Sequence, residues 1–368
     1  MVGNDKIRVL MMLDAFDIGG TETYVLSITQ ALLDRNVSVF VSGSPGPLEK
    51  KFRRLSCKVT TAVNRKSRFE AWIVKNRINL IHAHFQTSGK YAIDLSKKYR
   101  IPLIFTFHGT YYDGSLFQKL LASSAQPKTV SVSAPVQAWL AKKGIASTVI
   151  PNGIDMHEYY AMPTDLRATL GIPESSRVVL YASRLEDRKY KICKRLLIAF
   201  KKELLQKFPD VYLLVAGGGE KTGHIVKRIK TISSERIRYI GNRTDMAELY
   251  SMSDYVVGTG RVALEAIACE RPVIAIGSKG TLGLVQPSNF RKALRSHFCD
   301  HKGHLPLSQT HISKAVRSAL QSIFPTRRGL RAMRKQVQNL FEVSRVTNHL
   351  LEIYKESILE GGVARGLR

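Results

Sequence analysis

Apolar residues in the first part of the chain fall in short continuous runs, separated by stretches where they recur every three or four positions. Residues 7–13, 37–41, 80–84, 102–107, 129–133 and 149–150 read as strands. Between the first two, Tyr24, Val25, Ile28 and Leu32 have the spacing of a helix with one apolar face. The pattern then restarts. Residues 177–182, 211–216, 237–241, 255–258 and 272–276 read as strands, and Ile192, Leu196, Leu197, Phe200, Leu204 and Leu205 stripe the helix after the first of them. Continuous apolar runs alternating with helices describe parallel sheets covered on both faces. The expected fold is therefore α/β: two Rossmann-like parallel-sheet domains facing an inter-domain cleft. Residues 1–155 form the first domain and 156–340 the second. In the helical tail, 341–368, Val343, Val346, Leu350, Ile353 and Tyr354, together with Leu340 just before it, form a stripe suited to docking back on the body.

Length and composition agree with this layout. At 368 residues, with 44% apolar and 23% charged, the chain can bury two cores, which excludes intrinsic disorder. Glycine (26) and proline (13) are too sparse and irregular for a collagen-like or linker sequence. No apolar run reaches the roughly 18 residues of a membrane-spanning helix. The start carries Asp5, Lys6 and Arg8 before a short apolar stretch ended by Asp14, which is not the build of a signal peptide. The expected location is the cytoplasm. Cys57, Cys193, Cys269 and Cys299 lie far apart, in neither a Cys-x-x-Cys pair nor a zinc-binding spacing, and are expected reduced and mostly buried. No metal or cofactor is expected.

Charge changes the picture. Lys plus Arg number 57 against 29 Asp plus Glu, a net +28. A field of that size favours an anionic partner, although a merely basic surface has the same composition. Cations concentrate in Lys50, Lys51, Arg53, Arg54, Lys58, Arg65, Lys66 and Arg68, interleaved with Phe52, Leu55, Phe69, Trp72 and Ile73. That mixture suits an anionic membrane face, so peripheral association with the inner face of a membrane is an expectation; a solvated basic face is the alternative. No helix-turn-helix, zinc-finger or RNA-binding signature accompanies the charge, so nucleic acid is not the expected partner.

Candidate chemistry lies where strands hand over to helices. Gly19-Gly20-Thr21-Glu22 follows the first strand, and glycines there let a helix amino end approach an anion. The spacing is not Gly-x-Gly-x-x-Gly, which argues against a dinucleotide-dependent oxidoreductase. His108, just past the fourth strand, can hydrogen-bond a sugar hydroxyl or serve as a structural histidine. His82 and His84, two apart in a strand, are structural or lie on an acceptor side. Arg184 and Lys189 follow the first strand of the second domain and can clamp a diphosphate, or belong to a solvated basic turn. Gly258 and Gly260 open a helix in which Glu265 can accept both hydroxyls of a ribose, or act as a favourable acid near a helix start.

In order along the chain, Gly19-Gly20-Thr21-Glu22, His82-Ala83-His84-Phe85, Thr106-Phe107-His108-Gly109 and Pro151-Asn152-Gly153-Ile154-Asp155 are followed by Ser183-Arg184-Leu185 with Lys189. Gly217-Gly218-Gly219, Leu264-Glu265-Ala266-Ile267-Ala268-Cys269 and Pro272-Val273-Ile274-Ala275 complete the set. The ordered set resembles the retaining nucleotide-sugar glycosyltransferases of family four, which have the GT-B fold. The resemblance implies a UDP- or GDP-sugar donor on the second domain and a lipid-linked, glycan or anionic-polymer acceptor on the first. It implies that Arg184 and Lys189 bind the diphosphate, Glu265 the ribose, and His108 the donor sugar near its reacting carbon, without a metal. Gly19, Gly20, Asn152, Gly218, Arg243, Val257, Gly258, Thr259, Gly260 and Lys279 would surround the donor, with the 241–243 turn beside the base. One departure stands out. Where the family usually carries a glutamate eight positions before Glu265, this sequence has Val257. A catalytically weak or inactive polyanion-binding protein on the same scaffold is the alternative, and a sugar-nucleotide epimerase of that fold fits the motifs less well.

Overall fold

A computed structural model describes residues 6–123 and 127–366; Asp5 lies outside them. The chain divides into two compact units, one formed by Met1–Gly153 with Phe341–Arg368, the other by Ile154–Leu340.

The first unit is built on seven strands: β1 (Arg8–Ala15), β2 (Ser38–Ser44), β3 (Lys58–Thr60), β4 (Leu80–Ala83), β5 (Leu103–Phe107), β6 (Lys128–Ser131) and β7 (Thr148–Val149). They lie in the order β3-β2-β1-β4-β5-β6-β7, and every pairing is parallel. Both faces of β1 are covered, as its unbroken apolar run requires. Val9, Met11 and Leu13 pack with Tyr24, Val25, Ile28 and Leu32 on one face. Leu10 and Met12 pack with Ile81, Phe105 and Ile93 on the other. The tail helix, Val343–Gly366, buries Val346, Leu350 and Tyr354 in the first of these clusters. Leu340, expected in the same stripe, is exposed. Strand β3, too short and too polar to register as a periodic run, was not anticipated.

The interleaved aromatic face expected at residues 50–73 is not formed. Phe52, Phe69 and Ile73 are fully buried in the two core clusters, and Trp72 stacks on Phe69 with ring centroids 6.1 Å apart. The cations remain outside while most of the apolar members serve the core.

The second unit has six strands: β8 (Arg177–Ala182), β9 (Val211–Ala216), β10 (Ile237–Tyr239), β11 (Tyr255–Gly258), β12 (Val273–Gly277) and β13 (Gly280–Leu284). Their order is β10-β9-β8-β11-β12-β13. All pairings are parallel except β12 with β13, which is antiparallel. Lys279 therefore sits in a tight hairpin turn. Strand order reverses beside β1 in the first unit and beside β8 in the second. In open parallel sheets, ligands bind outside the carboxyl ends of strands at such reversals. Most of the candidate residues lie at or just beyond the carboxyl ends of strands.

Candidate functional site

In the first unit, Gly19 is the extended residue before the Gly20–Leu33 helix, directly beyond β1. A Cβ at Gly20 would meet nothing within 4 Å, so open space lies over this helix start. Neighbouring strands β4 and β5 deliver three imidazoles. His82 Nδ1 lies 2.6 Å from the Tyr354 hydroxyl of the tail helix, and its Nε2 lies 2.7 Å from Thr106 Oγ1. His84 Nδ1 lies 3.2 Å from His108 Nε2, so one of the two nitrogens donates to the other. The Tyr24 ring meets His108 edge-on at 5.1 Å. Burial, and then the neighbouring His108, push His82 down to about 3, and burial holds His84 well below the ordinary histidine range. Both rings are neutral hydrogen-bonding groups at pH 7. Asn152, beyond β7, keeps its side-chain oxygen buried with no hydrogen-bond partner among the described residues.

In the second unit, three loops adjoin at the carboxyl ends of β8, β9 and β10. Leu185 N donates to Gly218 O at 2.7 Å, and Gly217 N donates to Gly241 O at 2.8 Å. A Cβ at Gly217, where φ is +128°, would lie 1.9 Å from Ser183 O, so glycine is required for the loops to close. Arg184 projects from this junction half-exposed, 4.0 Å from Glu186. Arg243, expected beside a base, is held by Asp245, with Nε 2.8 Å from Oδ1; that carboxylate raises its pKa despite partial burial.

Beside this junction, Lys189 Nζ lies 2.6 Å from Thr259 Oγ1, at the start of the Gly260–Ala268 helix, and 2.5 Å from Asp300 Oδ1. The Tyr181 hydroxyl on β8 donates to Lys189 O at 2.7 Å and fixes the backbone from which the ammonium projects. Gly260 takes a φ of +52°, and a Cβ at Gly258 would lie 2.5 Å from the Val262 side chain. Lysine, hydroxyl and helix amino end are thereby gathered in one place, an arrangement suited to an anion.

Two expectations need correction here. Val257 cannot line a ligand with its side chain. It is fully buried inside β11, paired between Tyr181 and Ile274, in the unit's central core. Glu265 does not stand open for a ribose either. It is 4% exposed, with Oε1 2.5 Å from Arg261 Nε and Oε2 accepting from the Tyr250 hydroxyl at 2.8 Å. Burial opposes charge on Arg261, but Glu265 outweighs it and raises the guanidinium's pKa. Lys279 is exposed in its hairpin, and no contact brings it to Lys189 or Glu265 among the described residues.

Residues 18–158 match the family described as Glycosyltransferase Family 4, and residues 163–294 match Glycosyl transferases group 1. The chain belongs to the family-four glycosyltransferases. The D-inositol 3-phosphate glycosyltransferase of Salinispora tropica is 25% identical to it, over 94% of this chain and 82% of that protein. The phosphatidyl-myo-inositol mannosyltransferase of Mycolicibacterium smegmatis is 23% identical over 71% and 73%. The crystal structure of Anabaena Alr3699/HepE in complex with UDP-glucose has a TM-score of 0.77 at 21% identity, covering 95% of this chain and all of that one. This likeness assigns the two Rossmann-like units to the GT-B fold.

Three polar partners in the glycosyltransferase's second unit carried no expected role: Arg261, Tyr250 and Asp300. Arg261 was open to detection, because it stands four positions before Glu265 on one helix face. Asp300 was not. It is 41 residues from Thr259 and meets it only through the fold. Among the described residues no group of three or more His, Cys, Asp or Glu side chains has the arrangement of a metal site, and no helix is long and apolar enough to cross a membrane.

Proposed function

We propose that this glycosyltransferase moves a sugar from a nucleotide diphosphate donor to a lipid-linked, glycan or anionic-polymer acceptor, with retention of anomeric configuration. The observation that carries the donor reading is the Lys189–Thr259 contact at the amino end of the Gly260–Ala268 helix, beside the strand reversal at β8. Cleaving the anomeric carbon–oxygen bond leaves positive charge on the sugar and negative charge on the diphosphate. Lys189, the helix's free N–H groups and Arg184 supply fixed positive potential for the leaving group, and each well-placed donor is worth about 3 kcal/mol. That charge removes the need for a metal. Retention follows if the acceptor hydroxyl attacks on the face from which the diphosphate departs.

In this reading Gly218, Gly258, Thr259 and Gly260 of the second unit surround the donor mainly through backbone, with Arg243 near the base. His108, 3.2 Å from the neutral His84 ring, is the first unit's candidate for a sugar hydroxyl. Glu265 holds the ribose only if the Arg261 and Tyr250 contacts rearrange or share their oxygens. Anabaena HepE binds UDP-glucose, and the two inositol-related enzymes act on phosphorylated or lipid-linked polyols by their names, which supports a nucleotide-sugar donor and an anionic acceptor. A panel of UDP-, GDP- and ADP-sugars, scored for slow hydrolysis and for protection against thermal unfolding, tests the reading. One of them is expected to be hydrolysed and to raise the Tm. Protection by none, with retained binding to anionic polymers, would favour the polyanion-binding alternative, which the closed Arg261–Glu265 pair and the net +28 charge support.

The basic residues give the first unit a second face. Lys6, Arg8, Arg54 and Lys58 line a groove of about 560 Å³ at the amino ends of β1–β3, with Phe40 on its wall and Arg8 5.2 Å from that ring. It lies at the opposite end of the strands from Gly19. We assign this face to electrostatic contact with an anionic leaflet or acceptor, without aromatic insertion, since Phe52 and Phe69 are inside. Binding to anionic vesicles at low salt that vanishes in Lys58→Glu/Arg54→Glu is the expected result; binding unaffected by the pair of changes would remove this face from the reading.

A further inference from the structure

The helix Phe290–Arg295 is followed by three successive residues with left-handed backbone: His297 (φ 51°), Phe298 (φ 54°) and Cys299 (φ 71°). None is glycine. Side-chain-bearing residues adopt this conformation at a cost, so such a run persists only where packing and hydrogen bonds impose it, and it concentrates at functional sites. Here the constraints are visible. Phe298 and Cys299 are buried, Phe298 N donates to Ala293 O at 2.7 Å, and Cys299 O accepts from Lys279 N at 3.0 Å. A Cβ at Gly277 would lie 2.3 Å from the Cys299 carbonyl, so glycine at the end of β12 lets the turn press onto the sheet.

The turn delivers Asp300. Its Oδ1 lies 2.5 Å from Lys189 Nζ and accepts from Ser278 N at 3.1 Å, while its Oδ2 accepts from the Thr259 hydroxyl at 2.9 Å. Burial pushes the Asp300 carboxyl up, but the Lys189 ammonium and the Ser278 N–H outweigh it and hold the carboxyl well below its usual range. Thr259 accepts from Lys189 and donates to Asp300, so the three groups close a ring. An ammonium has three N–H donors, and the ring uses two. The direction of the third is then set before any ligand arrives. A free lysine, by contrast, would have to order a flexible four-carbon stem on binding.

We propose that Asp300 is a positioning residue, held by the strained turn at 297–299, that aims the Lys189 ammonium at the diphosphate of the donor. The inference rests on Lys189 being the diphosphate cation and adds the residue that orients it. Asp300 is assigned no donor contact of its own: Oδ1 faces Lys189 Nζ and Ser278 N, and Oδ2 accepts from Thr259.

Calorimetric titration of the full chain with UDP and, in parallel, GDP tests it, with uridine and guanosine as phosphate-free controls. Asp300→Asn keeps the shape and removes the charge. It is expected to lose about tenfold in affinity for whichever diphosphate binds, with nucleoside binding unchanged. Lys189→Met is expected to lose as much or more, and the double variant no more than Lys189→Met alone. Asp300→Glu should restore part of the loss. Should Asp300→Asn fail to fold, Thr259→Val opens the same ring while leaving the ion pair, and a loss of roughly threefold is expected. Affinity equal to or above wild type in Asp300→Asn or, where that variant does not fold, in Thr259→Val would overturn the proposal and make the ring a competitor of the diphosphate. Multiplying losses in the double variant would overturn it too. An unchanged Lys189→Met would instead show that the donor reading of Lys189 is wrong and take this inference with it.

Discussion

The two sheets carry chemically opposite groups at equivalent places. At the ends of β4 and β5 the first unit presents His82, His84 and His108; buried, neutral His82 is hydrogen-bonded to Tyr354 and Thr106, and buried, neutral His84 separately to His108. Around β8 and β11 the second unit presents charges in pairs, Lys189 with Asp300 and Arg261 with Glu265. A neutral network can steer a hydroxyl without drawing anions, whereas fixed cations beside a helix amino end stabilise a charge that grows during reaction. In the proposed reading one architecture serves as acceptor side and as donor side through side-chain chemistry alone, which is why fold by itself does not define activity.

The largest expected effect is on turnover. Lys189→Met should lower transfer by on the order of 10²–10³, the usual cost of removing one donor to a developing anion. An initial-rate assay checks this, and a loss below threefold would break the assignment of charge chemistry to the second unit. Next comes stability. Arg261→Met leaves the Glu265 carboxylate buried without its ion partner and should cost about 3 kcal/mol. Denaturant unfolding reads it; a change under 1 kcal/mol would mean that the pair opens readily and that Glu265 is accessible to a ribose.

Tyr354→Phe is the matching test in the first unit. It strips His82 Nδ1 of its buried partner and should cost about 2 kcal/mol. Equal costs for Tyr354→Phe and Arg261→Met would erase the energetic contrast between neutral and charged networks. The smallest effect at neutral pH concerns His82, whose contribution changes only as the medium turns acid. His82 titrates near 6.5 when unfolded and at about 3 when folded, so protons bind the unfolded chain first. Its neutral form costs nothing above pH 6.5, and stability is lost as pH falls from about 6.5 towards 3. His82→Gln should flatten that limb in a circular-dichroism acid titration. Asp300 works in a lower window: its lowered pKa stabilises the fold above about pH 4 and that contribution is lost only below it.

Much of the site was legible because strand ends are punctuated by glycine. Gly217, Gly258 and Gly260 mark places where a loop must turn sharply or approach closely, and the residues beside them lie at the carboxyl ends of the second sheet. Arg184 and Lys189 were legible as cations just after β8. The carboxylate that holds Lys189 was not, since proximity across 111 residues leaves no periodic trace.

The order of apolar runs and amphipathic stretches in the sequence determined two parallel α/β sheets and the location of nearly every strand, because a buried strand must be apolar on both faces wherever it pairs. Tertiary structure decided which way individual side chains face. Phe52 and Phe69 turn into the core among basic neighbours, Val257 is sealed between β8 and β12, and β13 folds back antiparallel so that Lys279 tops a hairpin. Tertiary structure also brought Asp300 to Lys189. Local periodicity records whether a residue prefers burial; which distant atom it meets there depends on the packing of whole elements.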